Sequence, residues 1–432
     1  MTPDEAIRRA IALQQEGRVA EAADICRQVL EASPDHVDAL HFLGVAEHQQ
    51  GRSEVALTLL DRAVTLAPEH ADLHSNRGNV FKQLGRLDEA RRSYAEALAL
   101  VPDHANALNN LGCVVRERGD LEAALELFRK VVAMEPGHAD AHQNLGNCLG
   151  SLGRLDEGLG ALRRALELRP AADSAYRHLG AMLYARDRVA EAAEVYKAWL
   201  SRKPENPEAK HLLVACSQTE LPARAPPEFV RGLFDRFAPS FDGTLARLQY
   251  RAPSLVVEAI GQAVGTAHCD LDVLDVGCGT GLCAEGLRPF ARTLVGVDLS
   301  ARMLERARTR KLYDSLVECD LVEHMTRNPG AYDLLASADT LVYFGALDGL
   351  ASAAASALRK GGYFAFTTER SEEAAAPLGY RLHPHGRYSH TRSYLQRVFG
   401  AVGLELSTPR EVEPRLEAGA WVPGWLAVAL RR

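Results

Sequence analysis

The stretch Asp275-Val276-Gly277-Cys278-Gly279-Thr280-Gly281 decides the fold of the second half of this chain. It follows the apolar residues Leu271, Val273 and Leu274, and seventeen residues after it comes Asp298, closing the run Leu294-Val295-Gly296-Val297-Asp298. Strand, glycine loop, helix, strand and acid, in that order, make a nucleotide-binding half of an α/β sheet. The glycines let the backbone turn tightly and approach a ligand with no Cβ in the way. The acid that ends the second strand is placed to accept from ribose hydroxyls. The spacing is G-x-G-x-G, whereas dinucleotide sites carry G-x-G-x-x-G and leave a helix N-terminus open for a pyrophosphate.

Length predicts more than one domain, because 432 residues exceed what one compact core holds. A net charge of −7 gives no electrostatic reason to expect nucleic acid or an anionic membrane as a partner. No apolar run approaches a membrane span, and Met1-Thr2-Pro3-Asp4-Glu5 lacks the basic and apolar regions of a signal peptide. The eight cysteines are scattered without a C-x-x-C pair, as in a reduced cytoplasmic protein with no disulfide frame and no zinc site.

The first half keeps a strict period of 34 residues. Prolines stand at Pro34, Pro68, Pro102, Pro136, Pro170 and Pro204, and glycines at Gly44, Gly78, Gly112, Gly146 and Gly180 and again at Gly17, Gly51, Gly85, Gly119 and Gly153. A small column (Ala22, Ala56, Ala90, Ala124, Gly158, Ala192) and a bulky one (Cys26, Leu60, Tyr94, Phe128, Leu162, Tyr196) keep step. This period and these columns resemble the tetratricopeptide repeat, a helix–turn–helix unit. Small residues mark close helix crossings, the second glycine column a left-handed helix end, and the prolines a helix stop. Six repeats are predicted over roughly residues 3–206, with Pro207–Ser217 as a solvating cap helix. Asn76, Asn110 and Asn144 form a further column on the expected concave face. It resembles the asparagine ladder of the O-linked N-acetylglucosamine transferase array, where amides grip a peptide main chain, so a protein or peptide partner is expected there.

The prolines Pro222, Pro226 and Pro227 mark a boundary, giving residues 1–217 as the repeat array, 218–227 as linker and 228–432 as the α/β domain. In the α/β domain an acid beside the glycine loop suits a ligand with an ammonium and a sulfonium group. The loop with its acids resembles motif I of S-adenosylmethionine-dependent methyltransferases of the Rossmann-like class. The whole chain resembles the bacterial methyltransferases that carry N-terminal tetratricopeptide repeats. The marks of that group are Ala338-Asp339-Thr340-Leu341-Val342-Tyr343-Phe344-Gly345, Gly386-Arg387-Tyr388-Ser389-His390 and Val422-Pro423-Gly424-Trp425-Leu426. One departure is Phe344-Gly345-Ala346-Leu347, where relatives tend to carry an acid before the leucine.

The resemblance implies a two-domain protein, an all-α superhelix followed by a doubly wound α/β sheet, with S-adenosylmethionine as cofactor. It implies that Asp275, Gly277, Cys278, Gly279, Thr280, Gly281, Asp298, Leu299, Met303, Asp320, Leu321 and Asp339 surround that cofactor. The aromatic segment Phe229–Asp242 is similar to a helix that closes over the cofactor in small-molecule methyltransferases, with Phe241 facing the substrate; Tyr250 and Arg251 are further pocket candidates. Near the ends of strands four and five, His390 is the candidate general base, Tyr388 and Tyr343 its catalytic companions, and Arg387 the candidate partner of a substrate carboxylate. Three histidines (His383, His385, His390) invite a metal, but Pro384 and Gly386 break their spacing, so none is expected. Strand four lacks the Asp/Asn-Pro-Pro-aromatic run of enzymes that methylate exocyclic base nitrogens. The expected function is methyl transfer with the array recruiting a protein or peptide substrate; the alternative is a small-molecule methyltransferase whose array only scaffolds an assembly. A non-catalytic adaptor and a nicotinamide oxidoreductase are the other two readings, opposed by the intact loop and by its glycine spacing.

Overall fold

A computed structural model describes residues 2–417 and 419–432. The chain folds as two compact units, Met1–Asp187 and Arg188–Arg432.

The first unit is an array of paired helices running from Pro3–Gln15 to Asp173–Ala185. The 34-residue columns have the packing that their side chains predict. A Cβ on Gly78 would lie 2.6 Å from the Tyr94 ring, and one on Gly112 2.6 Å from Phe128, so the bulky column fills the space that the glycine column leaves. Residues 17, 51, 85, 119 and 153 all take positive φ at helix ends. In the sixth repeat a non-glycine, Asp187, takes the same left-handed turn at φ 57. The second helix of each pair stops two residues before the proline column, as at Ala32 before Pro34 and Leu66 before Pro68.

The second unit begins with helices Val189–Arg202 and Pro207–Ser217 and, among the described residues, is built around twelve strands. These are β1 (Leu271–Val276), β2 (Ala291–Asp298), β3 (Ser315–Glu318), β4 (Tyr332–Ser337), β5 (Leu358–Arg370), β6 (Tyr380–Leu382), β7 (Tyr388–His390), β8 (Leu404–Leu406), β9 (Arg410–Val412), β10 (Leu416–Glu417), β11 (Ala420–Trp421) and β12 (Gly424–Arg431). The main sheet runs β3-β2-β1-β4-β5-β12-β8. Strands β3, β2, β1, β4 and β5 are parallel, and β12 returns antiparallel beside β5. Alternate side chains fill two cores, one on each face. Val273, Leu294, Leu334 and Ala336 pack on one, and Leu274, Val276, Leu335, Phe364 and Phe366 on the other. The chain reverses its order of winding between β1 and β4, the point at which open α/β sheets bind ligands.

Two expectations change. The apolar pattern carries strand four to Tyr343, but β4 stops at Ser337, because Asp339 turns to φ 54 and Leu341–Tyr343 form a 3-10 turn. The helix Pro207–Ser217 is not a solvated end. His211 is buried against Phe229 and donates through Nε2 to the Gly386 carbonyl at 2.8 Å, and the Gln218 amide donates to the Leu382 carbonyl at 2.9 Å. The stretch 218–227 is equally engaged. The amides of Gly345 and Ala346 donate to the Ala223 carbonyl, Ala225 N–H donates to Tyr343, and Tyr388 donates its hydroxyl to the Pro222 carbonyl at 2.8 Å.

These bonds generate a prediction. A fragment of residues 188–432 should melt in one cooperative transition. Removing residues 188–227 deletes these six bonds and an apolar cluster, at roughly 1 kcal/mol per bond, so the 228–432 fragment should melt more than about 10 °C lower or fail to fold. Equal thermal melts of the two fragments would refute it.

Candidate active site

The carboxyl ends of β1 to β5 open onto one cavity of about 370 Å³. Gly277, Gly279, Asp298, Leu299, Asp320 and Leu321 line it at the end formed by β1, β2 and β3. Asp339, Tyr343, Arg387, Arg415 and Glu417 line it at the β4–β5 end. The helices Pro227–Phe237 and Phe241–Arg247 supply an apolar wall that includes Phe234, Phe237, Phe241 and Leu245.

The donor-loop geometry follows from the glycines. A Cβ on Gly277 would collide with Thr340, so the turns that leave β1 and β4 can meet only over a bare backbone. A Cβ on Gly279 would meet only Phe241 at 3.9 Å, which leaves this loop backbone facing open space in the cavity. The carboxylate of Asp298 holds the loop: one oxygen accepts Gly279 N–H at 2.9 Å and the other Ser300 N–H at 2.9 Å. Burial raises the pKa of Asp298 in spite of these donors. Asp320 caps the helix Leu321–Arg327 through one oxygen and takes a guanidinium bond from Arg224 at 2.7 Å on the other.

The aromatic segment is tied to these same strand ends. Asp242 accepts from the Thr280 hydroxyl at 2.5 Å and from Arg310 at 2.7 Å, and Asp235 accepts from the Ser300 hydroxyl at 2.6 Å. Phe234 meets Tyr343 edge-on at 5.5 Å and Phe241 at 6.1 Å, and Phe237 meets Phe241 at 5.1 Å. Burial pushes the Tyr343 hydroxyl up to about 12, so it stays protonated.

An ion cluster stands at the far end. Arg415, only 5% exposed, donates to Asp339 at 2.5 Å, to Glu417 at 2.6 Å and to Glu369. Arg387 donates to Glu369 at 2.7 Å and to Glu417 at 2.7 Å. Glu369 is buried, but Arg387 and Arg415 outweigh that burial and hold it at about 2, fully ionised.

Several expected site residues lie elsewhere. Asp275 does not line the cavity: it is buried beneath the loop and accepts the Tyr313 hydroxyl at 2.6 Å. Cys278 and Thr280 are buried in the loop, Gly281 packs toward Tyr313 and Arg310, and Met303 is fully buried. His390 is fully buried between the Thr368 hydroxyl at 2.8 Å and the Gly345 carbonyl at 3.2 Å, and burial lowers it to about 4. A neutral imidazole with both nitrogens engaged and no face on the cavity is not placed to act as base. Tyr388 is fully buried and spends its hydroxyl on Pro222, so it is not placed to act either. Arg251 stacks over Trp421 outside the cavity, whereas Tyr250 lines it. Sequence reasoning missed Arg224, Glu369, Arg415 and Glu417 as residues of the site. Among the described residues no group of three or more histidines, cysteines and acids is arranged to hold a metal, and no helix is long and apolar enough to cross a membrane.

In the first unit each residue of the asparagine column bonds to a neighbouring side chain. Asn110 donates to Asn79 at 2.9 Å, Asn79 to Asn76 at 3.3 Å, and Asn144 to Asn109 at 3.0 Å, while Asn76 meets His41 at 2.6 Å. The buried carbonyl oxygen of Asn147 has no hydrogen-bond partner.

The methyltransferase domain family matches residues 224–408, the span that carries the glycine loop and the cavity. Residues 224–408 are therefore similar to a methyltransferase domain. Tetratricopeptide repeat families match residues 7–71, 69–134 and 115–183. Human methyltransferase-like protein 27 is 46% identical over 103 residues, covering 23% of this chain and 42% of that protein. The ubiquinone biosynthesis O-methyltransferase of Thiobacillus denitrificans is 34% identical over 149 residues, covering 31% of this chain and 64% of that protein. The chain therefore spans less than two thirds of either relative. Among solved structures, MamA is similar over 37% of this chain and 94% of its own, at 25% identity and a TM-score of 0.33.

Asp275 yields a prediction. Burial raises its carboxyl from 3.8 to about 7, so folding favours the protonated form. That contribution to stability is complete below the ordinary carboxyl range and is lost as pH rises through about 7. Asp275→Asn should flatten the fall in melting temperature between pH 5 and pH 9 and melt roughly 5 °C or more above the parent at the alkaline end. Parallel melting curves for the two proteins would show that Asp275 is ionised throughout.

Proposed function

We propose that this chain transfers a methyl group from S-adenosylmethionine to a small acceptor seated in the cavity, while its repeat array holds a protein partner. The observation that carries the first part is the shared cavity: the glycine-loop end and the aromatic wall enclose one volume of about 370 Å³, the size of a small-ligand site. The relatives named for O-methylation in ubiquinone biosynthesis support an acceptor of that scale.

The residues present fit the donor. The space that a Cβ on Gly279 would fill is open, and the Asp298 and Asp320 carboxylates line the same end. Gly277 and Gly279 make room for the donor, Asp298 accepts from its ribose, and Asp320 with Leu299 and Leu321 surrounds its base. When bound, the donor supplies a methyl carbon on a positively charged sulfur, which is already a good leaving group. The chain therefore contributes alignment and the exclusion of water more than proton transfer. The helix Pro227–Phe237 provides the water-excluding wall, latched through Asp235 to Ser300. No histidine is among the cavity-lining residues described, and Tyr343 keeps its proton. A base is therefore not part of this reading, and the acceptor arrives in its reactive form.

Calorimetry of the full chain tests this. S-adenosylmethionine should bind, NAD should not, and Asp298→Ala should weaken the former by more than about tenfold, through loss of a charge-assisted bond worth roughly 1.5–3 kcal/mol. Unchanged binding by the variant would sink the assignment.

The array's part rests on its tetratricopeptide repeats, which carry the asparagine column Asn76, Asn110 and Asn144, since side-chain amides offer both donor and acceptor to a peptide main chain. Asn110→Ala with Asn144→Ala should reduce protein captured from extract about fivefold at equal folded fraction, since each lost amide bond is worth about 1 kcal/mol. Capture equal to the parent's would overturn the groove as the binding face.

A further inference from the structure

Each end of the cavity has one carboxylate more than it has guanidiniums. At the β1–β3 end, Asp298 and Asp320 face one guanidinium, that of Arg224. At the β4–β5 end, the carboxylates of Asp339, Glu369 and Glu417 face the guanidiniums of Arg387 and Arg415, an excess of one negative charge. The other titratable neighbours do not cancel it. His385 stands 4.0 Å from Glu369, but burial, with Arg387 beside it, lowers its ring to about 3, so it is uncharged. Tyr250 and Tyr343 are both pushed up by burial and remain neutral.

Each of these carboxylates already accepts from a guanidinium, but the cluster as a whole keeps one negative charge in a largely apolar cavity, and a cation entering there would offset it. The opposite wall answers the same need independently. Phe234, Phe237, Phe241 and Tyr343 form a chain of edge-to-face rings, 5.1–6.1 Å apart, around the same space. Ring faces attract cationic nitrogen, and attract it more where water is excluded. A carboxylate-bearing acceptor, by contrast, would find Arg415 already shared among three acids and Arg387 between two.

Resting on the reading of this cavity as a methyl-transfer site, we propose that its acceptor has an apolar body and a cationic nitrogen, which sits between the aromatic rings and the Asp339–Glu417 carboxylates. The nitrogen anchors the acceptor and is not the atom methylated, because a protonated nitrogen has no lone pair to offer the methyl carbon. This replaces the expectation that Arg387 pairs with a substrate carboxylate.

The test is calorimetry on the full chain saturated with S-adenosylhomocysteine, using 2-phenylethylamine, 2-phenylethanol and 3-phenylpropanoate as probes. The amine should bind at least about tenfold tighter than the carboxylate, and Glu417→Gln should weaken the amine by about tenfold while leaving the alcohol within about twofold. Should that variant misfold, Asp339→Asn and the parent's own ranking of the three probes decide the question in its place. Equal or tighter binding of the carboxylate, or no binding of the amine, overturns the proposal. So does a Glu417→Gln variant that loses affinity for S-adenosylmethionine but not for S-adenosylhomocysteine, because the excess charge would then face the donor's sulfonium. Failure of the parent to bind S-adenosylhomocysteine at all is a separate result, and it overturns the donor reading itself.

Discussion

The turns that leave β1 and β4 meet at Gly277, where Thr340 occupies the room that any side chain would need. Everything that makes the cavity depends on that contact. The sheet changes its direction of winding there, so the helices after β1 and after β4 leave on opposite faces and a crevice opens between them. Asp298, one strand to the side, turns its carboxylate back to the loop and holds Gly279 N–H. On the other side, β4 cannot continue past Ser337, and Asp339 takes the left-handed backbone that turns the chain across the crevice mouth. Asp is among the few residues that adopt this conformation at modest cost.

The parts legible in sequence are those set by local geometry. The glycine loop, Asp298 and Asp320 announce themselves because each needs a particular residue type at a strand end. The repeats announce themselves because one packing solution recurs every 34 residues, so Gly78 against Tyr94 and Gly112 against Phe128 repeat one contact. Asp187 shows the limit of that rule: the left-handed turn persists without its glycine.

The parts that are not legible are assembled by topology. Arg415 reaches Asp339 across 76 positions and Glu369 across 46, with no period or motif to join them. The segment Gly386–His390 is visible as a cluster of polar residues, yet its polarity serves two ends. Arg387 points into the cavity, while Tyr388 and His390 turn inward to bind Pro222, Thr368 and Gly345. Alternation along a strand explains the split: successive side chains of β7 face opposite ways, and only the residue before it borders the opening. Asp275 illustrates a related ambiguity. An acid beside a glycine loop reads as a ligand contact, but the last residues of β1 point alternately to the two sheet faces, and this one faces Tyr313.

The ion cluster also constrains how the site is put together. Arg415 and Glu369 are both nearly inaccessible, and each satisfies the other. Removing one partner of such a pair leaves a buried charge without compensation, which costs about 3–5 kcal/mol. The segment Arg410–Trp421 contributes only short strands and little apolar surface, so its docking depends heavily on Arg415 entering between Asp339 and Glu369. Docking in turn brings Glu417 to the cavity and gives Arg387 its second partner. The far wall of the cavity therefore forms as one electrostatic unit, and its net charge, more than any single side chain in it, sets what the wall can hold.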